Sequence, residues 1–292
     1  MNSNDPLKRE AFDVLFPCLW KLLEATPTIP RHPNKLFYGK GIVVTITREI
    51  CSICALLNPL PVPTVTGSTV TDPVSISVIA RTILEAYLVW EQIFILPDDE
   101  EQKEYWYLTW ALKSLKLHTQ TPPTVPDLEL DQEDPDGGGI KKMKAIDVYN
   151  NIVKVSQDLE TQIRDNAYFK IVMGSGDVTT RGRYQGHARD GWKASPEFLL
   201  KRSMKYFHSS KIYDLLSAAS HIDHLSVRQL VMSLTSQEKK QYAESSLLVV
   251  LVVIARLCEQ FPLVFPSPAA STIVNDPNVQ KWIGAYREVA DR

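Results

Sequence analysis

A chain of 292 residues that is 44% hydrophobic and 9% aromatic has enough apolar mass to bury a core, which excludes a disordered or fibrous protein. Its 32 basic and 34 acidic side chains leave a formal net charge of −2, so no global field draws it to nucleic acid or to an anionic membrane. Four cysteines are too few and too irregular for a disulfide framework, and the opening MNSNDPLKRE lacks the apolar stretch of a secretory signal, so the expected compartment is cytoplasmic.

Glycine and proline are costly inside helices, and their positions divide the chain. Helices are expected over 6–25 (with Pro17 inside), 41–57, 73–96 and 99–119. The β-branched run GIVVTIT (41–47) continues into REICSICALL at helical spacing and is assigned to the second of these. Cys51 and Cys54 lie in that helix without two further ligands for zinc and without the strand that precedes a redox pair, so they are expected in the core.

From 119 to 140 the chain carries Pro122, Pro123, Pro126 and Pro135, then six acids between Asp127 and Asp136, then three glycines. This composition predicts a flexible acidic loop, and no Asp-x-Asp-x-Asp-Gly register fits calcium. After a helix expected over 141–168, the segment 174–191, GSGDVTTRGRYQGHARDG, sets Arg181, Arg183, His187 and Arg189 among five glycines. It predicts a mobile basic loop that could cradle a phosphate, although the dinucleotide fingerprint is incomplete and no strand precedes it.

Helices follow over 196–209, 211–233, 236–261 and 277–290, introduced by Ser195-Pro196-Glu197, by Thr235 with Glu238, and by Asp276-Pro277. Asp72-Pro73 gives the same signal earlier in the chain. Leu247–Ala255, LLVVLVVIA, is apolar on every face; its nine residues fall short of the roughly 20 a bilayer needs, so it is expected to be a buried central helix, with no membrane partner. The expected fold is all-α, a bundle of about seven to nine helices. Residues 1–70 would form an N-terminal helical segment and 71–292 the main bundle, together one compact unit.

Helical phase singles out two polar stripes. At about 100° per residue, Arg81, Glu85 and Gln92 fall within about 40° of one another, opposite Ile79, Ile83, Ala86, Trp90 and Phe94. Downstream, Tyr213, Ser217, Ser220, His221, His224 and Arg228 share a face without lysine or glutamate. A solvated face carries those residues in quantity, as Asp98, Asp99, Glu100, Glu101, Lys103 and Glu104 do. A polar cluster or pocket built from Arg81, Glu85, Tyr213, Ser217, His221 and His224 is therefore expected where the stripes meet.

Arg81, Glu85 and Ala86 in the order R-x-x-x-E-A, then Trp192 and Ser195, then Tyr213, Ser217 and His221 in the order Y-x-x-x-S-x-x-x-H, resemble an all-helical bacterial family of unknown function. The resemblance covers about Ser75 to Leu225 and implies a helical fold but no activity. A second resemblance, to the helical toxin and defence proteins called HEPN, rests on Arg202-Ser-Met-Lys-Tyr-Phe-His208. It implies a metal-independent ribonuclease in which Arg202 stabilises charge on the phosphate and His208 moves protons. Arg181 and His187 repeat the spacing within the glycine-rich segment.

The sequence has no Gly-x-Ser-x-Gly, no His-Glu-x-x-His and no P-loop, and His221 with His224 makes an incomplete metal shell, so no metal and no cofactor are expected. The leading expectation is a stress or phage-defence component that acts by binding a protein partner or a second copy of itself. RNA enters only under the ribonuclease alternative.

Overall fold

The computed structural model describes residues 6–29, 35–56, 60–61, 69–70, 73–133, 140–192, 195–209, 211–220 and 236–291. The fold is all-α, with thirteen helices among the described residues and two short antiparallel strand pairs. Contacts divide the chain into two units, one of Met1–Ile29, Tyr38–Glu91 and Pro196–Arg292 and the other of Pro30–Phe37 and Gln92–Ser195.

The first unit is organised around α11 (Ser236–Val264), on which α1 (Pro6–Glu24), α10 (Ile212–Ser220), α12 (Pro268–Val274) and α13 (Pro277–Asp291) pack. Its apolar run meets side chains on every side: Leu251, Val252, Val253 and Ile254 are fully buried, each stabilising the fold by about 1.5–3 kcal/mol. The apolar character extends well beyond nine residues. Tyr242–Val264, 23 residues, is long enough to cross a membrane; its most apolar 18-residue window has mean hydropathy 2.1, and 67% of that window is buried against the rest of the structure. Such packing is the behaviour of a core helix. Asp276 opens α13 as expected, its carboxylate accepting from the Asn278 amide at 2.8 Å.

This unit also contains α2 (Lys35–Leu56) from Tyr38 onward, α3 (Pro73–Phe94) up to Glu91, the pair β1 (Leu60–Pro61) and β2 (Thr69–Val70), α8 (Pro196–Ser203) and α9 (Lys205–Ser209). In α2 the buried face is Val43, Ile46, Thr47, Ile50 and Ile53. Cys51 is therefore exposed and Cys54 half-buried, which corrects their expected place in the core.

The second unit is built on α4 (Glu100–Thr119), against which α5 (Ala145–Asp165), α6 (Ala167–Ser175) and α7 (Val178–Asp190) pack. Asp99 caps α4, accepting from the Gln102 amide at 2.8 Å. The acidic first turn is not a plain solvent face. Glu100 and Glu104 hold Lys35 Nζ at 2.9 and 3.2 Å, and Glu101 accepts from Asn166 Nδ2 at 3.2 Å. Hydrogen bonds from Lys103 and Lys35 hold the Glu100 carboxyl down at about 2.

Three expectations in this unit are corrected. Part of the acidic loop is an antiparallel pair, β3 (Glu129–Glu133) and β4 (Ile140–Lys144), that sets an acidic strand against a basic one: Glu129 faces Lys144 and Asp131 faces Lys142. The pair leads directly into α5, where the Ala145 and Ile146 amides donate to the Leu128 and Pro126 carbonyls at 2.8 and 3.0 Å. Two of the amides that every helix start leaves orphaned are thus satisfied.

The helix expected over 141–168 breaks at Asn166, whose side chain accepts from the Phe169 amide and opens α6. The expected basic loop is the helix α7. Asp177 caps it, and Gly191 at φ 79° ends it. Its inner face of Tyr184, His187 and Ala188 meets the aromatic surface of α4, with His187 Nδ1 3.3 Å from the Tyr105 hydroxyl and its ring against Trp106. That burial outweighs a cost of about 1 kcal/mol for each of the two glycines inside the helix.

Candidate functional site

In the first unit α3 carries a line of polar side chains into the interior. Ser77 is fully buried, with its hydroxyl 3.2 Å from that of Ser246 on α11. One turn along, Arg81 Nε donates to Glu85 Oε1 at 2.8 Å, the Tyr213 hydroxyl donates to the same oxygen at 2.7 Å, and the Arg81 guanidinium sits 5.3 Å from the centre of the Tyr213 ring. The two stripes found by helical phase therefore meet, through Tyr213. Ser217 lies one turn beyond it on α10, half-buried, while His221 and His224 fall outside the described residues.

Burial and the hydrogen bond to Glu85 push the Tyr213 hydroxyl up to about 12. Burial alone would lower Arg81, but the bond and charge of Glu85 raise it. The folded pKa of Tyr213 lies above its ordinary value of 10, so this stabilisation is intact below pH 10 and is lost as pH climbs toward 12. An alkaline titration followed at 295 nm should show a phenolate step near pH 12 that Tyr213→Phe removes. Loss of a step near pH 10 instead would mean the hydroxyl is free in solution.

The sequence reading missed a buried carboxylate in the line. Glu91 is 3% exposed, and its Oε1 lies 2.6 Å from the Tyr87 hydroxyl and 2.9 Å from Gln260 Nε2, while Oε2 accepts from Ser203. The Tyr87 hydroxyl is also 2.9 Å from Gln260 Oε1, and with a single proton it donates to one of the two acceptors at a time. Burial first, then the adjacent carboxylate, raises the Tyr87 pKa well above its usual value. Four side chains from α3, α8 and α11 thus satisfy one another, an arrangement that fixes how the helices pack.

Arg202 and His208 do not share a helix, because the chain breaks at Met204 between α8 and α9. The Arg202 guanidinium lies 5.6 Å from the Phe198 ring centre, and His208 Nε2 is 3.8 Å from Glu197 Oε1. Among the described residues no group of three or more His, Cys, Asp or Glu is placed to hold a metal ion.

The second unit holds an open cleft of about 310 Å³ lined by Arg164 at the end of α5 and by Gly182, Gln185, Gly186 and Arg189 of α7. The glycines are one turn apart, and a Cβ at either would meet nothing within 4 Å. No packing contact therefore requires them to be glycine. Arg189 is held by Asp190 through Nε at 3.0 Å and Nη2 at 2.7 Å, which leaves its Nη1 donors for another acceptor. Arg164 is exposed and makes no ion pair among the described residues.

Comparison with family models, with curated proteins and with solved structures finds no match for this chain.

Proposed function

We propose that this protein works by binding, and that its ligand is a small phosphate-bearing molecule seated in the cleft between α5 and α7. The observation that carries this reading is the lining of the cleft: two arginines and an amide around a backbone stripped of side chains at Gly182 and Gly186. Guanidinium groups match phosphate oxygens in charge and geometry, and glycine lets an oxygen approach the main chain. A volume of about 310 Å³ is at the small end of ligand pockets, the size class of a nucleoside monophosphate rather than of a folded partner. In contrast, the polar groups of Arg81, Glu85, Tyr87, Glu91 and Tyr213 are engaged with one another, which supports a framework role for them. The small number and irregular spacing of the cysteines support the cytoplasmic location, and a defence role is part of the proposal by analogy with other helical families.

Two pairs of variants test this. Gly182→Ala and Gly186→Ala should each raise stability by about 0.5–1 kcal/mol, because the new methyl meets open space and alanine favours the helix. The same variants should weaken binding of pyrophosphate or AMP measured by calorimetry. Arg164→Gln and Arg189→Gln should weaken it about ten- to a hundredfold each, since a charged hydrogen bond is worth about 1.5–3 kcal/mol. No heat of binding with either probe would reject the cleft as the site. Cleavage of single-stranded RNA in EDTA that vanishes with His208→Ala would favour the ribonuclease reading instead.

A further inference from the structure

Val178, at the first position of α7, is 79% exposed, more than any other large hydrophobic side chain among the described residues, and Ile171 on α6, across the turn, is 65% exposed. At about 100° per residue Val178, Arg181, Gly182, Gln185 and Arg189 fall within about 100° of one another, away from the inner side of Tyr184, His187 and Ala188. All five are exposed. We infer that this face of α7 docks on an anionic phospholipid surface, with a lipid phosphate in the cleft and Val178 at the boundary of the acyl layer. The inference rests on the phosphate reading of the cleft and names the kind of molecule that carries the phosphate.

The face matches both layers of such a surface. Arg164 and Arg189 complement a headgroup phosphate in the cleft, and Arg181, one turn before Gln185, carries the positive charge on toward neighbouring headgroups. An aliphatic side chain held in water gains nothing from a soluble phosphate. On a bilayer it is buried about 5–10 Å into the boundary between headgroups and acyl chains. Asp177 and Asp190 offset part of the charge of Arg181 and Arg189, so charge and apolar contact act together. The net charge of −2 gives the whole chain no pull toward a membrane, which makes the attraction local to this face and sensitive to salt. A single-stranded nucleic acid would be matched instead by exposed rings on which its bases stack. None of the five residues is aromatic, and Tyr184 turns inward, its hydroxyl 3.1 Å from that of Tyr168 and its ring stacked on Tyr105.

The test sediments the full chain with vesicles of phosphatidylcholine alone or in equal parts with phosphatidic acid, and measures pyrophosphate binding to the same proteins by calorimetry. The chain should sediment with the anionic vesicles only, and pyrophosphate should displace it. Val178→Ser should lower the vesicle affinity about tenfold, the lower end of what burying a valine is worth, and leave pyrophosphate binding unchanged. Arg181→Gln should lower the vesicle affinity about fivefold, with an unchanged circular dichroism spectrum in both variants. Pyrophosphate binding without vesicle binding would overturn this inference and leave the cleft reading standing, whereas loss of both would reject the two together. Vesicle binding that pyrophosphate does not displace, or that Val178→Ser does not weaken, would overturn it by placing the contact elsewhere. Capture by single-stranded RNA in place of the vesicles would overturn it as well.

Discussion

Glu91→Ala is expected to lower the stability of the first unit by about 3–5 kcal/mol, because it strands hydrogen-bond donors and empties a packed position at once. The substitution strands the Gln260 amide and the Ser203 hydroxyl and leaves the Tyr87 hydroxyl, 0% exposed, with Gln260 Oε1 as its one acceptor. Each orphaned neutral group costs about 1–3 kcal/mol, and loss of the side-chain volume leaves a void beside α11. Glu91→Gln keeps the volume and one acceptor oxygen, so it should cost clearly less. Urea unfolding of the three proteins checks this. Equal and small losses would mean that water reaches Glu91 and that the network does not hold the helices together.

The second large effect lies at the end of α7. Gly191→Ala should destabilise the second unit by about 3 kcal/mol, of which about 1–2 kcal/mol comes from placing a Cβ in a left-handed conformation and the rest from overpacking. The added Cβ would lie 2.4 Å from the Lys113 nitrogen and 2.6 Å from its Cα, atoms of the α4 backbone that cannot swing aside. The same turn lets the Gly191 amide donate to His187 and the Trp192 amide to Thr109, both at 2.9 Å, so a shift there displaces the buried Trp192 indole. A fall in the thermal midpoint together with a red-shifted tryptophan emission is the expected signature. A midpoint within a degree of the parent would show that α4 and α7 do not meet so closely.

Much of the helical framework was legible because it rests on local signals. Asp276-Pro277 and the acidic start of α4 mark helix beginnings by capping chemistry alone, and the apolar run at 247–255 has no face that water could wet. Helical phase also brought Arg81 and Glu85 to Tyr213, because one face of an amphipathic helix is decided by spacing.

The misreadings were tertiary or compositional. Five glycines outweighed the Asp177 cap and the Gly191 stop, although those two were the evidence for α7. Proline and acid content hid the charge match between Glu129, Asp131 and their lysine partners across β3 and β4. Glu91 sits about 80° from the Arg81 stripe, and its only signal was a carboxylate inside the apolar run VWEQIF. The exposure of Cys51 follows from the phase of Val43, Ile46 and Ile50, which the general tendency of cysteine to be buried had overridden.

The central claim is that the arginine-lined notch of α7 is where this protein meets its ligand, and site-resolved NMR of the full chain with pyrophosphate tests it most directly. Saturable shifts should centre on the Gly182 and Gly186 amides and on the Arg164 and Arg189 Nε–H signals, and Arg164→Gln should suppress them. Shifts that are absent, that rise linearly without saturating, or that centre on Arg202 and His208 would contradict it.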